Sequence, residues 1–158
     1  MSKSGLKIAG EYGKRLPAFG SHQEAERVLF AQRDGLVAAV VMLERKSSEF
    51  RADFTPESLN QLEAMFSESR DAQDFNRLGV DKTTFERMIG MYFGEVYVRN
   101  VPGAEWFVAE YAFEQGRYEI GVRKGLLSLM LTNGLAPEPR ERNFRQRSLL
   151  RLYRKYSG

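Results

Sequence analysis

The sequence predicts an α+β fold, a single domain in which about four helices pack on a small antiparallel β-sheet. Apolar residues recur at the helical period over much of residues 21–99, and the period changes to two after residue 103. The 158 residues are 42% hydrophobic and 28% charged, which is the balance of one folded domain. The first 20 residues contain four glycines and little periodicity. We therefore predict a flexible N-terminal arm over residues 1–20 and one α+β domain over residues 21–158 with a basic C-terminal helix.

The first predicted helix begins at a capping box. Ser21 is followed three residues later by Glu24, a spacing at which each side chain can satisfy a backbone N–H of the first turn. An apolar stripe then extends the helix over about residues 22–44. Asp34-Gly35 also fits a turn, so a strand over residues 36–43 remains an alternative.

Three further helices follow from their own start signals or stripes. Thr55-Pro56-Glu57 combines a capping residue, a first-turn proline and an acidic residue, and predicts a helix over residues 55–69. Asp81 caps a helix over residues 81–99, which is apolar enough to be the central helix of the core. An apolar stripe with arginines on its other side predicts the last helix over residues 145–156.

The sheet is predicted from the alternation that follows residue 103. Trp106 and Val108 begin one strand, and a turn at Gln115-Gly116 leads into a second, which together form a β-hairpin. Residues 126–131 fit a third strand or a short helix equally well. We place the antiparallel sheet over residues 105–131.

The composition excludes several kinds of chemistry. The chain has no cysteine, so it has no disulfide, no thiolate metal site and no cysteine nucleophile. His22 is the one histidine and falls in the first turn of a predicted helix, where the helix dipole disfavours its charged form. We expect no catalytic residues, no cofactor and no metal.

No segment has the sequence pattern of a membrane span or a secretory signal. The longest strictly apolar run, Leu36 to Leu43, has eight residues, whereas a bilayer span needs roughly 20. The N-terminus lacks the apolar stretch of a signal peptide. We therefore expect a cytoplasmic protein that does not bind membranes.

Glu95, Arg99 and Trp106 are the predicted partner-binding residues. Glu95 is a charge within an otherwise apolar helix, so it must reach solvent or pair with a cation such as Arg99 or Arg123. A third hypothesis makes Glu95 and Glu105 the two carboxylates of a hydrolase beside Trp106, which requires the carboxylates to lie within about 10 Å of each other.

The basic C-terminus supports an alternative function in nucleic-acid binding. The net charge is +3, but residues 138–158 alone hold seven of the 24 basic residues, and the remaining chain is close to neutral. In this alternative the phosphate contacts come from five residues, namely Arg145, Arg147, Arg151, Arg154 and Lys155.

Several short motifs resemble those of a group of small bacterial domains of unknown function. The motifs are the helix start at residues 54–59, the Gly-Glu-Val helix end within residues 90–99, Glu105-Trp106, and Ser148-Leu149 before Tyr153. The resemblance implies an α+β fold and a bacterial cytosolic setting. Some such domains are encoded beside polymorphic toxins as immunity proteins, and the resemblance supplies no catalytic residues.

Our leading hypothesis is therefore a bacterial, non-catalytic protein-interaction domain, which includes an immunity or accessory protein. Its partner would be another protein, either a toxin or a second copy of this chain in a homodimer. The hypothesis predicts an exposed patch of several hundred Å² that buries against the partner.

Overall fold

The computed structural model describes residues 3–138 and 147–158, which form five helices and one three-stranded sheet. The α+β prediction is confirmed, with one helix more than the four predicted. Within these two ranges no helix has both the length and the apolarity needed to cross a membrane. The elements in chain order are α1 (Lys3–Lys14), α2 (His22–Met42), α3 (Ser58–Asp71), α4 (Lys82–Asn100), β1 (Glu105–Glu110), β2 (Tyr118–Lys124), β3 (Leu127–Met130) and α5 (Ser148–Ser157).

Helix α1 occupies most of the predicted arm, and the sequence analysis did not predict it. Its end is joined to the sheet: the Tyr12 hydroxyl donates to Oε1 of Glu119 at 2.6 Å, and Nη1 of Arg117 donates to the Leu16 carbonyl at 2.7 Å. Leu16 is 1% exposed. The last turn of α1 and the residues after it therefore pack on the start of β2, while the flexibility of the arm stays a prediction.

Helix α2 begins as predicted and is continuous. The Ser21 hydroxyl accepts from the Glu24 N–H at 3.1 Å, and Oε2 of Glu24 accepts from the Gly20 N–H at 3.2 Å. The helix passes through Asp34-Gly35, so the alternative strand over residues 36–43 is wrong. A helical glycine costs only about 1 kcal/mol relative to alanine, which the packing of α2 against α4 and β1 offsets.

Helix α3 starts three residues later than predicted. The Ser58 N–H donates to the Thr55 carbonyl at 3.1 Å and to its Oγ1 at 3.3 Å, so Thr55 caps a tight turn that precedes the α-helix. The proline at residue 56 sits within this turn. Thr55-Pro56-Glu57 therefore does mark the start of this segment, but it begins the tight turn and not the α-helix itself.

Helix α4 is the centre of the molecule, as predicted. The Asp81 carboxylate caps it by accepting from the Thr84 N–H at 2.7 Å. It packs against α2, α3, α5 and two strands, and ten of its 19 residues are buried. A helix enclosed in this way carries apolar residues around most of its circumference, which explains the apolar stretch in the sequence.

The sheet has the order β1-β2-β3, and both pairings are antiparallel. Trp106 pairs with Val122 and Val108 with Ile120 on the face turned toward the helices. Glu105 lies on the opposite face, because successive residues of a strand alternate. Residues 127–130 form β3, which resolves the segment 126–131 as a strand.

The described part of the last helix, α5, starts at Ser148, and its predicted first residue, 145, lies outside the described residues. Leu149, Leu150 and Tyr153 are buried against α3 and α4. The predicted apolar stripe of this helix is therefore confirmed at these three residues, while Arg154 and Lys155 are exposed and Arg151 is half-buried.

Candidate functional site

The three predicted partner-binding residues contact one another. The Trp106 indole N–H donates to Oε1 of Glu95 at 2.8 Å, and Nε of Arg99 donates to Oε2 of the same carboxylate at 3.0 Å. The Glu95 side chain is 19% exposed, and that of Arg99 is 53% exposed. Both carboxylate oxygens of Glu95 therefore accept a hydrogen bond at the edge between α4 and β1.

The position of Trp106 depends on a glycine. A Cβ atom at Gly94 would collide with Cη2 of the indole. Residue 94 must therefore be glycine for the ring to pack this closely on α4 and for its N–H to reach the carboxylate one residue further along the helix.

Two more side chains extend this contact to other elements. The guanidinium carbon of Arg33, on α2, lies 5.3 Å from the centroid of the Trp106 ring. The guanidinium carbon of Arg99 lies 3.6 Å from the centroid of Phe54, in the loop before α3. We call Arg33, Phe54, Glu95, Arg99 and Trp106 the tryptophan cluster. Sequence reasoning missed Arg33 and Phe54, because no local pattern shows that α2 and the loop before α3 meet at this edge.

The two arginines of the tryptophan cluster are each paired with a carboxylate, one of them from the neighbouring Asp34. Glu95 neutralises Arg99, and Asp34 lies 2.9 Å from Nη2 of Arg33. Each guanidinium carries five N–H donors, and Arg99 uses only its Nε on Glu95. Its other donors have no partner among the described residues, and they belong to a side chain that is 53% exposed and stacked on the Phe54 ring.

The other predicted ion pair of Glu95, with Arg123, is not formed. Nε of Arg123 instead donates to Oε1 of Glu105 at 2.8 Å. Glu105 is exposed and lies on the face of β1 opposite to Trp106, which holds Glu95. The two carboxylates therefore do not converge on one cleft, and the hydrolase hypothesis loses its geometric basis.

His22 has a structural contact. Its Nε2 lies 2.7 Å from the Val108 carbonyl, which joins the start of α2 to β1. In the part of the chain that the structure describes, no group of three or more histidine, aspartate and glutamate side chains is arranged to hold a metal ion.

The predicted nucleic-acid surface is only partly described. Arg145 lies outside the described residues, and Arg147 and Arg151 are half-buried. Arg154 and Lys155 are exposed. Tyr153, on the same helix, is buried and so is not available to stack on bases. Nucleic-acid binding stays a prediction.

The fold and the cluster define a small α+β protein in which a tryptophan, held by a helix carboxylate, joins an edge strand to the central helix. The chain belongs to the family described as "Uncharacterised protein YwmA", whose model matches residues 18–157. A relative in Bacillus subtilis (strain 168), the uncharacterised protein YwmA, is 27% identical over 156 residues, which cover 97% of this chain and 96% of the relative. No solved structure matches the chain. The predicted likeness to a small bacterial protein of unknown function is confirmed, and the link to toxin immunity stays a prediction.

Proposed function

We propose that this protein is a non-catalytic interaction domain that binds another protein through the tryptophan cluster. The observation that carries the proposal is the state of Arg99: its guanidinium stacks on Phe54 and is fixed by Glu95, yet its side chain is 53% exposed. A side chain held so firmly at the surface has already lost the freedom that binding would otherwise remove.

The residue types of the cluster support the same function. Tryptophan and arginine are the residues most enriched among those that dominate binding energy at protein interfaces. The unused N–H groups of Arg99 match carbonyl or carboxylate oxygens of a partner, and a guanidinium can bind a carboxylate through two parallel hydrogen bonds. Because Glu95 and the neighbouring Asp34 balance the two arginines of the cluster, recognition rests on this geometry more than on net charge.

The partner we propose is a protein for which this chain serves as an immunity or accessory factor. The resemblance of its short motifs to bacterial domains that include immunity proteins motivates a toxin as the first partner to test, with a second copy of this chain as the other. Arg99→Ala is the variant of choice, since it removes the stacked cation and leaves the Glu95 to Trp106 hydrogen bond in place.

The test immobilises the full chain, exposes it to lysate of the organism that encodes it, and quantifies bound proteins by mass spectrometry. Arg45→Ala is the matched control, because Arg45 is exposed in the 3₁₀ turn Leu43–Lys46 away from the cluster. We expect a partner that wild type and Arg45→Ala retain and that Arg99→Ala binds about thirty-fold more weakly, the equivalent of about 2 kcal/mol. Sedimentation of the purified chain tests the second copy. The proposal would be refuted if Arg99→Ala and Arg45→Ala retained every protein equally and the wild-type chain sedimented as a monomer.

A further inference from the structure

A second feature of the molecule is a cavity lined by arginines. It has a volume of about 340 Å³ and is formed by the segment after α1, by α2, by α4 and by the turn after β3. Its lining contains Arg15, Arg33 and Arg87 and no carboxylate. Its volume falls within the range of about 300–1,000 Å³ that is usual for small-molecule sites.

The positive charge of this cavity is largely uncompensated. Arg33 is paired with Asp34, but neither Arg15 nor Arg87 forms an ion pair with any residue in the described ranges. Arg87 is also half-buried and has no counter-charge among the described residues. Like charges around one cavity raise each other's energy, and a bound anion would lower it.

The floor of the cavity is apolar. Leu29, Met91 and Ile120 line it and are each no more than 3% exposed. Thr132 also lines it, but its hydroxyl is already engaged by the Ile120 N–H at 2.9 Å. A ligand would therefore meet cations at the rim and hydrocarbon below.

We propose that this cavity binds a small amphipathic organic anion, with a carboxylate or phosphate head at Arg15 and Arg87 and a short apolar tail over Leu29, Met91 and Ile120. The two guanidiniums supply planar sets of donors that match either head group. The tail would bury its own apolar surface in the cavity, which adds affinity that the head alone lacks.

Isothermal titration calorimetry of the full chain tests the ligand class with four probes: octanoate, octyl phosphate, inorganic phosphate and octylamine. We expect at least one of the two eight-carbon anions to bind, and their relative affinities distinguish a carboxylate from a phosphate ester. Inorganic phosphate lacks the tail and octylamine has the opposite charge, so each should bind at least roughly tenfold more weakly than the better anion. Failure of both eight-carbon anions to bind at millimolar concentration, or equal binding of either comparison probe, would overturn the proposal.

Arg15→Gln and Arg87→Gln locate the site, with Arg45→Gln as a control that removes the same charge outside the cavity. We expect each cavity variant to weaken binding of the better anion roughly tenfold, the typical effect of losing a hydrogen bond to a charged group, and the control to leave it unchanged. Arg15 is exposed, so its variant remains informative if Arg87→Gln does not fold. Unchanged binding in the Arg15 variant would refute the assignment. Arg33 lies in both sites, but neither substituted residue belongs to the tryptophan cluster, so failure of this test leaves the proposed protein-binding function untouched.

Discussion

Glu63 is the residue whose role the sequence hides most completely. It lies on α3, is 0% exposed and caps α5: its carboxylate accepts from the N–H groups of Ser148 at 3.2 Å and Leu149 at 2.8 Å, and from the Ser148 hydroxyl at 2.9 Å. The N-terminus of a helix carries partial positive charge and unsatisfied N–H groups, so a carboxylate there is favoured by both effects. Burial removes the competition from water.

Glu63→Gln should destabilise the protein although it preserves the size of the side chain. The amide NH₂ group must face a donor in place of one carboxylate oxygen, which leaves buried donors unsatisfied. We expect the free energy of unfolding to fall by about 1–3 kcal/mol, measured by urea denaturation. Glu68→Gln is the control on the same helix, because Glu68 is exposed and its one ion pair, with Arg77 at 3.5 Å, is also at the surface. This substitution should change the free energy of unfolding by less than about 1 kcal/mol. Equal effects of the two substitutions would contradict the capping role.

At the scale of the elements, two helical glycines have opposite roles. Gly35 in α2 is exposed, and a Cβ atom there would meet nothing within 4 Å. Gly94 in α4 lies against the Trp106 ring, where the same atom would collide with the indole. One glycine is therefore a weak point of its helix and the other is a packing requirement.

Alanine substitutions should separate these roles. Gly35→Ala is expected to stabilise the protein by about 0.5–1 kcal/mol, because alanine has the higher helix propensity. Gly94→Ala is expected to destabilise it by about 1–3 kcal/mol through overpacking, and to shift the fluorescence of Trp106, the one tryptophan of the chain. Thermal unfolding followed by that fluorescence measures both effects. A stabilised Gly94→Ala variant would show that the indole can move away without loss.

The sequence predicted the elements that depend on contacts between residues close together in the chain. The capping bonds of Ser21 and Asp81 span three residues and were readable, as was the Glu95 to Arg99 pair, which spans four. Helix α1 was missed because its glycines weaken the helical signal, while the contacts of Tyr12 that hold it lie 107 residues away. The same reason explains the missed members of the tryptophan cluster, which depend on where whole elements pack.

For the whole molecule, the two terminal helices are each joined to the body by a long-range polar contact. Glu63 fixes the start of α5, and the Tyr12 to Glu119 hydrogen bond fixes the end of α1. Both contacts are partly or fully buried, so each couples a terminal helix to the core. Deleting residues 138–158 would therefore expose the Glu63 carboxylate and the core beneath α5. Because such a deletion would also disturb the fold, it is a poor test of nucleic-acid binding. Substituting Arg154 and Lys155, which are exposed, avoids this difficulty.

Three buried or half-buried tyrosines should make the molecule sensitive to alkaline pH. Burial raises the pKa values of Tyr12, Tyr92 and Tyr97 above the ordinary value of 10.0, and for Tyr12 the hydrogen bond to Glu119 raises it further. Below pH 10 both the folded and the unfolded chain keep these phenols neutral, so their contribution to stability is fully present. Above pH 10 the unfolded chain ionises first and is favoured, so the free energy of unfolding should fall as the pH rises through the folded pKa values. Urea denaturation between pH 9 and about pH 11.5, with tyrosinate absorbance read in parallel, measures both quantities. Tyr12→Phe should make the fall less steep, because one titrating group is removed; an equally steep fall in this variant would show that the phenol at the end of α1 is not held neutral by the fold.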